Sequence, residues 1–161
     1  VLLRLKSSSS DETQQIAAQI ASIVALGDFI VLTGDLGAGK TCFSQGFAKG
    51  LGVSDQVTSP TFALANEYNG KIMLHHLDVY RLNSYKEAYD LALEELQETG
   101  VVLIEWGEKI KELFPSEYLH ITMKHIDDIN SRVFEIRLKG SRWLKVQEEL
   151  NGLVENWNVD A

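Results

Sequence analysis

The 161-residue chain has a single cysteine, Cys42, so no internal disulfide can form and nothing points to an oxidising compartment. Basic residues are in deficit as well: 15 Lys and Arg face 23 Asp and Glu, for a formal charge of −8. That balance disfavours a generic basic nucleic-acid binder, because counterion release draws on a surplus of Lys and Arg. No stretch approaches the roughly 20 apolar residues that span a bilayer, so no membrane partner is expected. The opening Val1-Leu2-Leu3-Arg4-Leu5-Lys6 lacks the apolar core and cleavage site of a signal peptide. A start at Val1 instead of Met points to a processed or trimmed chain, and a cytoplasmic location is expected. Internal repeats and long linkers are missing too, and the length suits one domain over residues 1–161.

What is present reads as an α/β chain. Ser9 with Glu12 three residues on fits a capping box. Ile16, Ile20, Ile23 and Val24 follow at helical spacing, and Gly27 is placed to close that helix. Phe29 to Leu32 is a continuous apolar run, the pattern of a strand covered on both faces. A glycine-rich turn at Gly34 to Gly39 leads into a helix from Lys40 to about Leu51. Val57 to Tyr68 reads as loop then strand, and Ile72 to Val79 as a strand reached by a turn at Asn69-Gly70. Tyr85 to Gln97 predicts an amphipathic helix, and Val101 to Ile104 a buried strand. Leu119–Met123 and Val133–Leu138 predict an antiparallel pair around Asp127-Asp128, and Ser141 to about Trp157 a terminal helix. The expected fold is an α/β domain with a sheet of mixed parallel and antiparallel direction.

The chemistry concentrates at Gly34-Asp35-Leu36-Gly37-Ala38-Gly39-Lys40-Thr41, which satisfies G-x-x-x-x-G-K-[ST]. Glycines let successive backbone N–H groups close around phosphate oxygens, and the following helix adds unpaired N–H groups and its positive end. Lys40 reaches β and γ phosphates, and the Thr41 hydroxyl suits Mg²⁺. Cys42, in the first helical turn, is expected to have a lowered thiol pKa and a packing or nucleotide-adjacent role. A phosphate loop also needs carboxylates near metal and water. Glu105 ends the Val101–Ile104 strand, on the edge where open α/β sheets bind ligands. Trp106 beside it either stacks and excludes water or simply packs. Asp78 shares a strand face with His76 and Tyr80, a polar face that suggests a site wall. A His75/His76/Asp78 zinc site is weak, since adjacent strand residues point apart. Thr58-Ser59-Pro60-Thr61-Phe62 is either a switch-like loop that senses the γ-phosphate or a plain turn.

These residues together resemble the TsaE family, formerly YjeE, small bacterial ATPases of the tRNA threonylcarbamoyladenosine pathway. The likeness lies in four ordered blocks: Gly34 to Thr41, Val57-Thr58-Ser59-Pro60-Thr61-Phe62, His76-Leu77-Asp78-Val79-Tyr80-Arg81-Leu82, and Ile104-Glu105-Trp106. It implies a three-layer, P-loop NTPase-like fold, with a mixed parallel/antiparallel sheet and ATP or ADP with Mg²⁺ bound at Gly37, Ala38, Gly39, Lys40, Thr41 and Cys42. It implies that Lys40 holds phosphates, that Thr41 and Glu105 serve the metal, that Asp78 contacts nucleotide or orders water, and that Trp106 supports turnover. By the same resemblance Thr13 lies near the adenine and Arg132 near the nucleotide. It further implies the partners TsaD and TsaB. In that complex TsaD transfers the threonylcarbamoyl group to adenosine 37 of tRNAs reading codons that begin with A, so tRNA is engaged indirectly. Two departures stand out: Gly107 where members commonly have Pro after Glu-Trp, and Leu91-Ala92 where they commonly have Leu-Gly.

The expected reaction is in-line attack of water on the γ-phosphate. With no obvious arginine finger in the chain, turnover alone should be slow and partners should stimulate it. A small-molecule kinase is the alternative, though no lid-sized insertion is present. A GTPase is disfavoured because no Asn-Lys-x-Asp or Thr-Lys-x-Asp occurs. An interaction module that binds nucleotide without turnover is the third possibility.

Overall fold

The apolar run at Phe29 is the centre of a seven-stranded sheet. A computed structural model of the chain describes residues 2–35, 37–60, 64–126 and 128–160. Leu36 of the glycine loop, Thr61 and Phe62 of the Ser-Pro loop, and Asp127 of the hairpin turn lie outside the described residues. The strands are β1 (Leu2–Ser7), β2 (Phe29–Gly34), β3 (Ala65–Tyr68), β4 (Met73–Asp78), β5 (Gly100–Glu105), β6 (Tyr118–His125) and β7 (Arg132–Lys139). The helices are α1 (Ser10–Ala21), α2 (Lys40–Gly50), α3 (Leu93–Thr99), α4 (Ser141–Lys145) and α5 (Gln147–Leu153), with 3₁₀ segments at Tyr85–Leu91, Gly107–Leu113 and Glu155–Trp157. The strand order is β1-β7-β6-β2-β5-β4-β3. Neighbours from β6 to β4 run parallel, and antiparallel strands complete both edges. This is the mixed α/β sheet that the sequence pattern predicts.

Alternation along β2 supplies two cores. Ile30 and Leu32 join a cluster with Ile16 and Ile20 of α1, Phe43 and Phe47 of α2, and Trp143 and Leu150 of the terminal helices. Phe29 and Val31 join the opposite cluster with Leu77, Val102, Ile104 and Leu93. Helical layers therefore cover both faces, and each fully buried Leu, Ile or Phe contributes about 1.5–3 kcal/mol of transfer free energy. No helix among the described residues is long and apolar enough to cross a membrane.

Four local expectations change. The N-cap half of the capping box forms, with Ser9 Oγ accepting from Glu12 N at 3.1 Å, while Glu12 Oε1 accepts at 3.1 Å from Ser8 N, one residue ahead of the cap. The helix nevertheless ends at Ala21, with Ser22 as C-cap, and Gly27 serves a later turn. Ile23 and Val24 reach the core from that turn, which is why their spacing resembles helix. The Tyr85–Gln97 stretch is not one helix: it breaks at Ala92, whose φ of 52° is left-handed. The terminal segment breaks at Val146 and Val154, turning the chain so that Trp143, Leu150 and Val154 all enter the core. Finally, β1 is an additional edge strand that buries Leu3, Leu5 and Ser7 against the sheet.

The arrangement also fixes a working edge. Asp78 ends β4 opposite Glu105, which ends β5, and Glu105 in turn lies opposite Leu32 of β2. Three parallel neighbours thus deliver Asp78, Glu105 and the Gly34 loop to one side, the carboxyl edge of the sheet.

Two predictions follow from these packing features. A left-handed conformation costs an alanine about 1 kcal/mol that glycine avoids. Glycine returns part of that through the greater freedom of the unfolded chain, so Ala92→Gly should add about 0.5 kcal/mol of stability, read as a higher urea midpoint, and a lowered midpoint would refute the strain. The second concerns pH. Burial holds His75 and His120 below the ordinary value of 6.5, although Glu67 pulls His75 back up and Arg137 and Lys111 push His120 further down. Below 6.5 the unfolded chain takes up protons that these folded imidazoles refuse, so their stabilisation is complete above that pH and declines beneath it. Urea unfolding at about pH 7.5 and about pH 5.5 should show the lower midpoint at the acidic value, with a smaller difference in His120→Gln.

Candidate functional site

The glycine loop is shaped by backbone that only glycine adopts cheaply. Gly37 and Gly39 have φ of 79° and 101°, and Gly39 starts α2 without a side-chain cap. The first N–H groups of α2 therefore have no side-chain acceptor from that cap, as an anion site requires. Lys40 follows, only 5% exposed. Its Nζ donates to the carbonyls of Gly34 at 2.8 Å and Asp35 at 2.9 Å, and lies 3.9 Å from the Trp106 ring centroid. Burial pushes the Lys40 pKa down, while the charges of Glu105, Glu108, Asp78 and Asp35 pull it back up. Arg132, at the start of β7, braces the outer side of the loop. Its Nε donates to Ala38 O at 2.9 Å and its Nη2 to Gly37 O at 3.4 Å, while Nη1 donates to Ile129 O and Ser131 O.

The facing wall is acidic and aromatic. Asp78 is half-buried, and its Oδ1 accepts from Tyr80 N at 3.0 Å. Burial raises its pKa, the Tyr80 N–H lowers it, and the nearby Glu105 charge raises it again. Glu105 is buried, with Oε2 accepting from Ser44 Oγ at 3.1 Å and from His76 Nε2 at 2.5 Å. Trp106 has a φ of 61°, a left-handed conformation that costs a non-glycine residue on the order of 1–2 kcal/mol. It is held by its N–H to Leu32 O at 3.0 Å and by Tyr80, whose ring centroid lies 4.8 Å away. The next residue must be small: a Cβ on Gly107 would strike Val31. Ser59 Oγ lies 2.9 Å from Thr41 Oγ1, joining the Ser-Pro loop to the start of α2.

Between these walls is a cleft of about 310 Å³, lined by Gly37, Gly39, Lys40, Thr41, Ser59, Asp78, Tyr80, Glu105 and Trp106. Seven of the eleven candidate site residues therefore meet in one place, joined by Ser59 and Tyr80 of the flanking motifs. The others do not line it. Ala38 is buried, and its carbonyl is taken by Arg132. Cys42 Sγ donates to Ser10 O at 3.6 Å, toward α1, and burial pushes its thiol pKa up, where its place in the first helical turn predicts a lowered value. Thr13 is buried, with Oγ1 2.7 Å from Ser7 Oγ, and braces α1 against β1. His75 and His76 do point apart: His75 meets Thr99 and Glu67, and His76 meets Glu105. Two participants escaped the motif reading. Ser44 and Lys109, which donates to Tyr80 O, carry no distinguishing local pattern, although Ser44 stands one helical turn after Lys40.

The donor set suits a phosphate with a hard cation. Hydroxyls at Thr41 and Ser59 and carboxylates at Asp78 and Glu105 are oxygen donors of the kind Mg²⁺ takes. The lysine, the glycine backbone and the start of α2 supply positive character for phosphate oxygens.

Comparison with known proteins gives a consistent result. The family model described as threonylcarbamoyl adenosine biosynthesis protein TsaE matches residues 7–134. A Bacillus subtilis (strain 168) protein named tRNA threonylcarbamoyladenosine biosynthesis protein TsaE is 42% identical over 151 residues, covering 92% of this chain and 94% of its own length. A Treponema pallidum (strain Nichols) protein of the same name is 38% identical over 132 residues, covering 81% of this chain and 98% of its own. The crystal structure of Bacillus subtilis YdiB superposes with a TM-score of 0.80 at 38% identity, covering 94% of this chain and 95% of that one.

If Arg132 holds the loop, Arg132→Ala should free it without unfolding the sheet. Losing a charge-assisted bond of about 1.5 kcal/mol predicts roughly 10-fold faster amide hydrogen exchange at Gly37 to Lys40, with β2 and β5 unchanged. Exchange at the wild-type rate would show that the loop stands by itself.

Proposed function

This chain belongs to the TsaE family, and from that membership we propose that it acts in tRNA threonylcarbamoyladenosine biosynthesis as an ATP-binding and ATP-hydrolysing subunit. The observation that carries the reading is Lys40, buried yet charged, closing a glycine loop opposite Asp78, Glu105 and Trp106. Nothing in an ordinary strand-to-helix turn calls for a desolvated ammonium there.

In this reading the Lys40 ammonium leaves the Gly34 and Asp35 carbonyls for the β and γ phosphates. Backbone N–H groups from Gly37 to Cys42 take the remaining phosphate oxygens. Thr41 and Glu105 would hold Mg²⁺, which when bound draws charge from the phosphate oxygens. Asp78 orders the attacking water, with its basicity raised by burial. Trp106 shields the reacting phosphate from bulk water. Arg132 keeps the loop in shape, and since its guanidinium is committed to loop carbonyls it is not offered to the transition state. Thr13 contributes through the setting of α1, its hydroxyl being paired with Ser7. Turnover by the chain alone is then slow, and the partners TsaD and TsaB raise it. TsaD performs the transfer to adenosine 37, while this subunit drives or resets the complex in the cytoplasm and meets tRNA indirectly.

Calorimetry with ADP and Mg²⁺ and an ATP hydrolysis assay, alone and with TsaD and TsaB, test the reading together. Lys40→Ala should weaken nucleotide binding by about 10- to 100-fold, the worth of charge-assisted bonds. Glu105→Gln should lower hydrolysis about 100-fold. Wild-type binding and turnover in both variants would exclude the site.

A further inference from the structure

Behind the cleft wall lies a buried polar cluster. His76, 0% exposed on β4, has Nε2 2.5 Å from Glu105 Oε2. A carboxylate oxygen accepts, so the imidazole donates from Nε2. Its other nitrogen, Nδ1, is buried with no hydrogen-bond partner among the described residues. The ring therefore has one polar commitment, and that commitment is Glu105. Ser44, also 0% exposed, reaches the same Oε2 from α2, its single hydroxyl proton divided between Oε2 at 3.1 Å and Lys40 O at 3.0 Å. Strand register explains the meeting: Asp78 lies opposite Glu105, so His76, two residues earlier, is its diagonal neighbour on the same face.

We propose that His76 and Ser44 are positioning residues that grip one oxygen of Glu105 from two sides and so fix the carboxylate it presents to the cleft. The proposal rests on the nucleotide and Mg²⁺ reading of the site. An ungripped glutamate rotates about its terminal bond and must be ordered when a cation arrives. A gripped one is ordered already, so the cation meets a preformed donor. The grip also ties β4, β5 and α2 at one atom, so a displacement of the lysine helix is passed to the acid.

The test is ADP affinity by calorimetry, measured with Mg²⁺ and again with EDTA, in four proteins: wild type, His76→Met, His76→Gln and Ser44→Ala. Met fills the space of the ring without a donor, whereas Gln returns an N–H near the position of Nε2. His76→Met and Ser44→Ala should each weaken ADP binding about 10-fold in Mg²⁺, as lost outer partners of a metal ligand do. Neither should change affinity in EDTA, and His76→Gln should recover most of the loss. Should His76→Met fail to fold, Ser44→Ala decides alone. Undiminished Mg²⁺-supported binding in Ser44→Ala and His76→Met overturns the grip. So does an equal loss with and without Mg²⁺, which is the mark of general packing damage. Wild-type protein indifferent to Mg²⁺ overturns the underlying nucleotide–metal reading, and the grip falls with it. The two failures are distinguishable because only the second is seen in the wild type.

Discussion

A buried cation dictates most of what surrounds it. Lys40 has lost nearly all its water, and an ammonium in that position requires acceptors and counter-charge. It finds two carbonyls in its own loop, the face of Trp106, and the fields of Asp78 and Glu105. These partners come from three separate stretches of the chain, at Gly34-Asp35, at Asp78 and at Glu105-Trp106. They meet because β2, β5 and β4 run parallel and adjacent, so each ends at the same edge. The sheet order is the scaffold, and the lysine is what makes the scaffold chemically specific.

Strain is concentrated at the same edge. Trp106 takes a left-handed backbone directly after Glu105, and the chain can follow that bend only because Gly107 has no Cβ to collide with Val31. A proline there would add a ring where the packing has no room, so the departure from the common Pro goes with close approach of this segment to β2. The compensation is visible: an N–H to Leu32 O, the Tyr80 ring, and the lysine charge above the indole. Ala92 is a different case, since it is left-handed with no compensation near the cleft.

Features that depend on continuous burial were readable before the fold was known. Phe29–Leu32 and Val101–Ile104 are covered on both faces, which leaves an unbroken apolar run in the chain. The glycine loop was readable because backbone geometry leaves few residues able to occupy it. Edge strand β1 is harder: its inward set is Leu3, Leu5 and a polar Ser7, too short and mixed to stand out. Breaks at Ala92, Val146 and Val154 carry no Gly or Pro, because tertiary packing bends the chain there and local propensity does not. The surroundings of Glu105 were hidden for a further reason. Ser44 is 61 residues from it and His76 is 29 residues away, and only strand register and helix placement bring them to one oxygen. Cys42 shows the limit of position-based reasoning about acidity, since the start of a helix favours thiolate but burial against α1 outweighs it.

The outermost strand has a mechanical role that its place at the rim does not advertise. β1 is zipped to β7 along its length, with Ser7 opposite Arg132, and the Ser7 hydroxyl also meets Thr13. Peeling that ribbon away would slacken the root of the guanidinium that steadies the glycine loop. A fusion partner or tether attached ahead of Leu2 therefore offers remote leverage over the cleft, a control handle that leaves every side chain within it untouched.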